Sequence, residues 1–81
     1  MPVLTVNVVD YNTNKPVPGI IVSVNSTAVV TDYNGRAIFD ADTATYNLNV
    51  SGYNYTPENR LLVLSSNQNV TIRLIPRVGL L

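Results

Sequence analysis

The sequence predicts an all-β protein, a seven-stranded antiparallel β-sandwich. Short runs of alternating apolar and polar residues recur at a spacing of about 8–12 residues, which is typical of sandwiches. The segments between these runs contain Asn, Gly and Pro, which interrupt strand pairing. No stretch shows the periodicity of an amphipathic helix. The predicted strands cover residues 3–10, 20–24, 27–31, 36–40, 44–51, 60–64 and 69–75.

The strands of the N-terminal half are predicted from apolar residues at every second position. In the first, second and fourth strands these residues share one face, which we expect to line the core. The third strand, residues 27–31, follows a break at residues 25 and 26. The inward-facing side chains of the first, second and fourth strands are those of Leu4, Val6, Val8, Ile20, Val22, Val24, Ala37 and Phe39.

A tight turn at residues 32–35 separates the third and fourth strands. Asp32 at the first position and Gly35 at the fourth suit a type I turn followed by a left-handed residue, and Asn34 tolerates the same conformation. We therefore expect the chain to reverse here as a hairpin.

The strands of the C-terminal half follow the same alternation. The fifth and seventh strands place Tyr46, Leu48, Val50, Val70, Ile72 and Leu74 inward. In the sixth strand the pattern leaves open which pair faces outward, Leu62 and Leu64 or Leu61 and Val63. Pro76 removes a backbone donor and ends the seventh strand. The sequence thus predicts one domain over residues 1–75 and an apolar tail over residues 76–81.

The composition narrows the classes of function. The 81 residues include neither Cys nor His, so a disulfide or a zinc site cannot stabilise this small domain, and oligomerisation is the remaining common means. Charged residues make up 12% of the chain and the net charge is zero, which favours association and excludes a basic nucleic-acid surface. No apolar run is long enough to span a membrane. The first residues do not have the pattern of a signal peptide.

Residues 8–10, 15–22, 31–39, 46–53 and 70–74 together resemble, in order and spacing, the carboxypeptidase regulatory-like domains. The resemblance implies the prealbumin-like (transthyretin) sandwich, with immunoglobulin-like architecture, and a non-catalytic module of secreted and surface proteins. Pilin-type domains of similar fold form an internal Lys–Asn bond from the position that Val8 occupies here, so the resemblance implies no such cross-link. The only lysine, Lys15, lies in the following turn, and the one such bond that it could form is a cross-link to a neighbouring subunit.

No residue set predicts catalysis, a cofactor or a metal. A pair of catalytic carboxylates needs a concave site, and the serines and threonines have no histidine beside them. Residues 32–35 begin like a calcium loop but lack its third oxygen ligand and its distal Glu, so they are interpreted as a turn. The carboxylates fall mostly at strand ends, where polar residues are expected: Asp10, Asp32, Asp40, Asp42 and Glu58.

Four N-x-S/T triplets are candidate glycosylation sites. Two of the asparagines lie in predicted loops, and two point outward from predicted strands. They are Asn25, Asn49, Asn54 and Asn69.

The remaining candidates are assembly contacts that a seven-stranded sandwich does not need. The tail adds apolar residues after the last strand, and several aliphatic and aromatic side chains are predicted to face outward. For Tyr53, the resemblance to the carboxypeptidase regulatory-like domains instead implies an aromatic ring that plugs one end of the core. The predicted contacts are Ile75, Val78, Leu80, Leu81, Ile21, Ile38, Tyr33 and Tyr55.

Two hypotheses of function follow. In the first, the chain is a non-enzymatic structural subunit that assembles with copies of itself into an extracellular filament, fibre or virion surface, through sheet edges and the tail. In the second, it is an accessory β-sandwich module of a larger secreted or surface protein and binds carbohydrate or protein. The expected partners are a homo-oligomer or polymer, with glycan on the surface and no nucleic acid.

Overall fold

The computed structural model describes residues 2–25 and 27–77, which form two β-sheets. Within these residues there is no helix that is long and apolar enough to cross a membrane. The strands are β1 (Val3–Asp10), β2 (Ile21–Val24), β3 (Thr27–Val30), β4 (Arg36–Asp40), β5 (Ala44–Ser51), β6 (Glu58–Leu64) and β7 (Gln68–Leu74).

The strand bounds agree with the predicted ones except at a few ends. β6 begins at Glu58 rather than residue 60, because its pairing with β5 continues to Val50. β3 ends at Val30 rather than residue 31, and the buried Thr31 follows it.

The two sheets have the orders β4-β1-β7 and β3-β2-β5-β6. All neighbouring strands are antiparallel except β1 and β7, which run parallel. The expectation of a wholly antiparallel sandwich is therefore wrong for this pair. The physical reason is that β6 and β7 belong to different sheets, so β7 pairs with β1 instead of folding back on β6.

The core lies between the sheets and is built from alternate residues of the strands. Of the side chains predicted to face inward, Tyr46 and Val70 are half-buried and pack against the core, and the others are buried. On β6 the buried pair is Leu62 and Leu64, which settles the orientation that the sequence pattern left open. Among residues 2–25 and 27–77, fourteen buried apolar residues contribute the hydrophobic stabilisation of the core.

The predicted turn forms, but it is not a hairpin within one sheet. The Gly35 amide donates to the Asp32 carbonyl at 2.9 Å, and Gly35 has a φ of +70°. The Asp32 carboxylate accepts from the amides of Asn34 and Arg36 at 2.9 and 3.0 Å. Because β3 and β4 belong to different sheets, this turn carries the chain across the sandwich.

Candidate interaction surfaces

Three loops and one terminal segment meet at the same end of the sandwich, which we call the loop end: residues 11–20, 31–35, 52–57 and 75–77. The strand directions explain the convergence. β1 and β7 are parallel and end together, β4 begins opposite the end of β1, and β2 begins opposite the end of β5. Segments that lie far apart in the sequence therefore form one continuous surface.

The loop end holds four of the five tyrosines of the chain. Tyr33 and Tyr53 are 92% and 89% exposed, and Tyr11 is about half exposed. The Arg73 guanidinium lies 4.6 Å from the centre of the Tyr11 ring and donates to the Tyr11 carbonyl at 3.1 Å, so one ring face of Tyr11 is already occupied. Tyr33 and Tyr53 thus offer the free aromatic surface.

Tyr53 and Tyr55 have the opposite roles from those predicted. Tyr53 was expected to plug the core but is exposed, whereas Tyr55 was expected to make exterior contacts but is half-buried against the core. The Ile20 side chain lies directly over Gly52, and Tyr55 rather than Tyr53 packs against the core. Asn54, at a φ of +67°, then reverses the chain between the two tyrosines.

The inward position of Tyr55 is completed by a hydrogen bond to β1. Its hydroxyl donates to Asp10 Oδ2 at 2.9 Å, while Asp10 Oδ1 accepts from the amides of Asn12 and Thr13. These bonds, that from Tyr55 above all, hold the pKa of Asp10 below its ordinary value. Partial burial, together with the neighbouring carboxylate, raises the pKa of Tyr55.

The buried side chain of Thr31 connects two segments of the loop end, residues 31–35 and residues 11–20. It is the one buried polar residue among the described part of the chain. Its hydroxyl accepts from the Ile20 amide at 2.9 Å and donates to the Val17 carbonyl at 2.8 Å, and its own backbone amide donates to the Ile20 carbonyl. The start of the loop that presents Tyr33 is therefore anchored to the sandwich by hydrogen bonds.

The first residues of the predicted tail are bonded to their own domain. The Ile75 carbonyl accepts from the Thr56 amide at 2.9 Å, Pro76 forms a bridge with Tyr55, and the Arg77 amide donates to the Asn54 carbonyl at 2.7 Å. The side chain of Ile75 is half exposed. The other predicted tail contacts, Val78, Leu80 and Leu81, lie outside the described residues.

The predicted aliphatic contacts are exposed but do not form one patch. Ile21 lies on the four-stranded sheet opposite Val30, whereas Ile38 lies on the three-stranded sheet. The exposed pair of β6 is Leu61 and Val63, at 73% and 63% exposure. These two residues stand on the outer face of the four-stranded sheet, beside the polar side chains of β5.

The four candidate glycosylation residues, Asn25, Asn49, Asn54 and Asn69, are all exposed, as predicted. Asn25 also has a structural role, because its side-chain oxygen accepts from the Asn47 amide at 3.1 Å and its φ is +53°. Asn54 lies next to Tyr53 in the loop end. Glycosylation itself stays a prediction.

The opposite end of the sandwich contains a cleft of about 290 Å³ between the sheets. Phe39, Asp40, Asp42 and Tyr46 contribute to its walls, and the Tyr46 hydroxyl donates to the Asp42 carbonyl at 2.7 Å. In the part of the chain that the structure describes, no group of three His, Cys, Asp or Glu side chains is placed to hold a metal ion.

No model of a known protein family matches the sequence, and no curated protein matches it. Two solved structures of the type II Cohesin-X-Dockerin complex from Acetivibrio cellulolyticus contain a chain of similar fold. The C-terminal interface mutant has a TM-score of 0.69 at 20% identity, and the N-terminal interface mutant 0.67 at 21%. Each match covers 88% of this chain and 52% of the other. The chain therefore spans about half the length of these solved chains, and the likeness establishes the β-sandwich fold.

Proposed function

We propose that the chain is a non-catalytic β-sandwich module of a larger secreted or surface protein, and that it binds a protein partner through the loop end. The observation that carries this proposal is the pair of highly exposed tyrosines, Tyr33 and Tyr53, on loops that hydrogen bonds hold to the sandwich. Exposed aromatic side chains on fixed loops lose little conformational entropy on binding, which is why tyrosine-rich loops are effective protein-binding surfaces.

The structural neighbours support this function over self-assembly. Both are chains of a Cohesin-X-Dockerin complex, which is an association between proteins, and both complexes carry interface mutations. The resemblance to the carboxypeptidase regulatory-like domains, with its prealbumin-like topology, stays part of the proposal. The proposal includes an extracellular or cell-surface location for the chain.

Panning of a phage-displayed random peptide library against the purified chain tests the proposal. Recovered clones should lose most of their binding to the double variant Tyr33→Ala/Tyr53→Ala, because both free aromatic surfaces are removed. The matched control is Ile21→Ala/Ile38→Ala, which removes two exposed apolar side chains from the sheet faces and should leave binding unchanged. Equal binding to the tyrosine variant and to wild type would contradict a loop-end site.

A glycan array separates a protein partner from a carbohydrate partner. Sugar rings also bind proteins by stacking on exposed aromatic side chains such as Tyr33 and Tyr53. The tyrosine variants are therefore tested on the glycan array as well. Saturable glycan binding that disappears in Tyr33→Ala/Tyr53→Ala would assign the same surface to carbohydrate and overturn the protein-partner proposal.

Self-assembly remains the second candidate, and exposed aliphatic residues on the sheet faces favour it. Ile21 and Val30 lie opposite each other on neighbouring strands, and both are exposed. Sedimentation velocity over a range of concentrations decides between the two functions. A monomer at all concentrations supports the binding module, and reversible growth that Ile21→Lys abolishes supports assembly.

A further inference from the structure

β6 forms one edge of the four-stranded sheet. It pairs with β5 on one side, and in the described residues its other side has no strand beside it. An edge strand presents a row of unpaired backbone amides and carbonyls, which another extended chain can bind.

This edge lacks most of the features by which proteins protect an exposed strand. β6 is seven residues long and contains no Pro and no Lys, and its last four residues are all apolar. The other edge of the same sheet, β3, is only four residues long. Long, apolar edges pair readily, whereas short ones do not.

The side chains of β6 specify the chemistry of an incoming strand. Leu61 and Val63 point to the outer face of the sheet, where a paired strand would cover them with its own apolar residues. Arg60 belongs to the opposite, core-facing side of β6 and pairs with the buried Leu48, but it is exposed because β6 is the edge strand. A paired strand covers the Arg60 guanidinium and displaces the water that hydrates it. If this strand has no acidic residue opposite Arg60, the lost hydrogen bonds to water are not replaced, so such a strand is disfavoured.

Glu58 is two positions before Arg60 and shares its side of the strand. An antiparallel strand that complements β6 therefore carries apolar residues opposite Val63 and Leu61, an acidic residue opposite Arg60 and a basic residue opposite Glu58. This order of charges makes the edge selective for one direction and one register.

We propose that the β6 edge binds an extended segment of a partner protein by strand addition, and that the segment runs antiparallel with the pattern apolar-x-apolar-acidic-x-basic. β6 begins directly after residues 52–57 of the loop end, but the proposed edge is formed by other residues. The proposal extends the proposed function to a second site and rests on different residues.

The probe is the peptide Thr-Val-Thr-Val-Glu-Asn-Lys, which places each residue type as the pattern requires. The control peptide exchanges its Glu and Lys and has the same composition. Titration into the isotopically labelled chain should shift the backbone amide signals of β6. The control peptide should bind about tenfold more weakly, because two like-charge pairs replace two opposite-charge pairs.

The double variant Glu58→Lys/Arg60→Glu reverses the charges of the edge and should exchange the preference between the two peptides. A dispersed amide spectrum shows that this variant is folded. Equal binding of both peptides, an unchanged preference in the variant, or shifts confined to the loop end would each overturn the proposal. Pairing of the chain with its own copy through β6, detected as a dimer by sedimentation, would also overturn it in favour of self-association. Loss of phage-clone binding in the tyrosine variants is independent of all these outcomes.

Discussion

The Tyr55 hydroxyl and the Asp10 carboxylate join the loop after β5 to the end of β1 across 2.9 Å. The bond connects the two sheets at the loop end, because β1 belongs to one sheet and β5 to the other. It also explains why the second tyrosine of the loop, and not the first, faces inward. The loop that presents Tyr53 is consequently anchored to β1 two residues after its exposed ring.

We expect Tyr55→Phe to raise the pKa of Asp10 towards its ordinary value of 3.8. The variant removes the Tyr55 hydrogen bond, which contributes most to the stabilisation of the ionised carboxylate. Carboxylate chemical shifts followed by NMR during an acid titration measure this change. The matched control is Tyr33→Phe, in which the lost hydroxyl belongs to an exposed ring. An Asp10 pKa that stays lowered in Tyr55→Phe would show that the amides of Asn12 and Thr13 suffice.

The same bond predicts a pH dependence of stability. The pKa of Asp10 is lower in the folded than in the unfolded chain, so its contribution is fully present above the unfolded value of 3.8 and is lost as the pH falls through the folded value. We expect this acid loss of unfolding free energy to be smaller in Asp10→Asn than in wild type. Urea unfolding at a series of acidic pH values measures it, and Asp40→Asn is the control. Identical acid profiles of Asp10→Asn and wild type would contradict the prediction.

Thr31→Val should destabilise the fold by about 2–3 kcal/mol, because the buried Ile20 amide and the half-buried Val17 carbonyl lose their hydroxyl partner. Thr31→Ser retains the hydroxyl and should cost less. Urea denaturation of both variants gives the comparison. If the two variants are equally unstable, the methyl group and not the hydroxyl carries the effect.

Two glycines with positive φ form a matched pair. Gly19→Ala should cost about 1–2 kcal/mol for the left-handed backbone alone, since nothing lies within 4 Å of the added carbon. Gly35→Ala should cost more, because the added carbon would lie 2.5 Å from the Val8 carbonyl oxygen. Thermal or urea unfolding measures the difference. Equal losses would mean that the turn moves away from β1 at no cost.

A glycan on Asn54 should block the loop end, since Asn54 is the neighbour of Tyr53 in an exposed loop. We expect chain produced in a glycosylating host and modified at Asn54 to bind loop-end phage clones more weakly than the unmodified chain. Thr56→Ala removes this acceptor sequence without altering Asn54 and should restore binding. A glycan on Asn69, on the three-stranded sheet, should have no effect. Mass spectrometry identifies the occupied sites.

Residues of the strands were the easiest to predict, and residues of the loop end the hardest. Leu4, Val6 and Val8 face the core because alternation along a strand is a local property that the sequence displays directly. Tyr53 and Tyr55 are two residues apart, so strand alternation would place them on the same side, yet only Tyr55 packs against the core and bonds to Asp10, which is distant in the sequence. A local pattern contains no information about that contact.

The sequence by itself determined the number of strands, their approximate bounds, the face of most strands that is buried and the turn at residues 32–35. These features depend on side-chain alternation and on turn residues within a few positions of one another. Only the tertiary structure decided that β7 pairs parallel with β1, that the turn crosses between sheets, that Leu61 and Val63 face outward and that four tyrosines meet at one end. These features depend on which distant segments pack together, and many pairings satisfy the same local pattern.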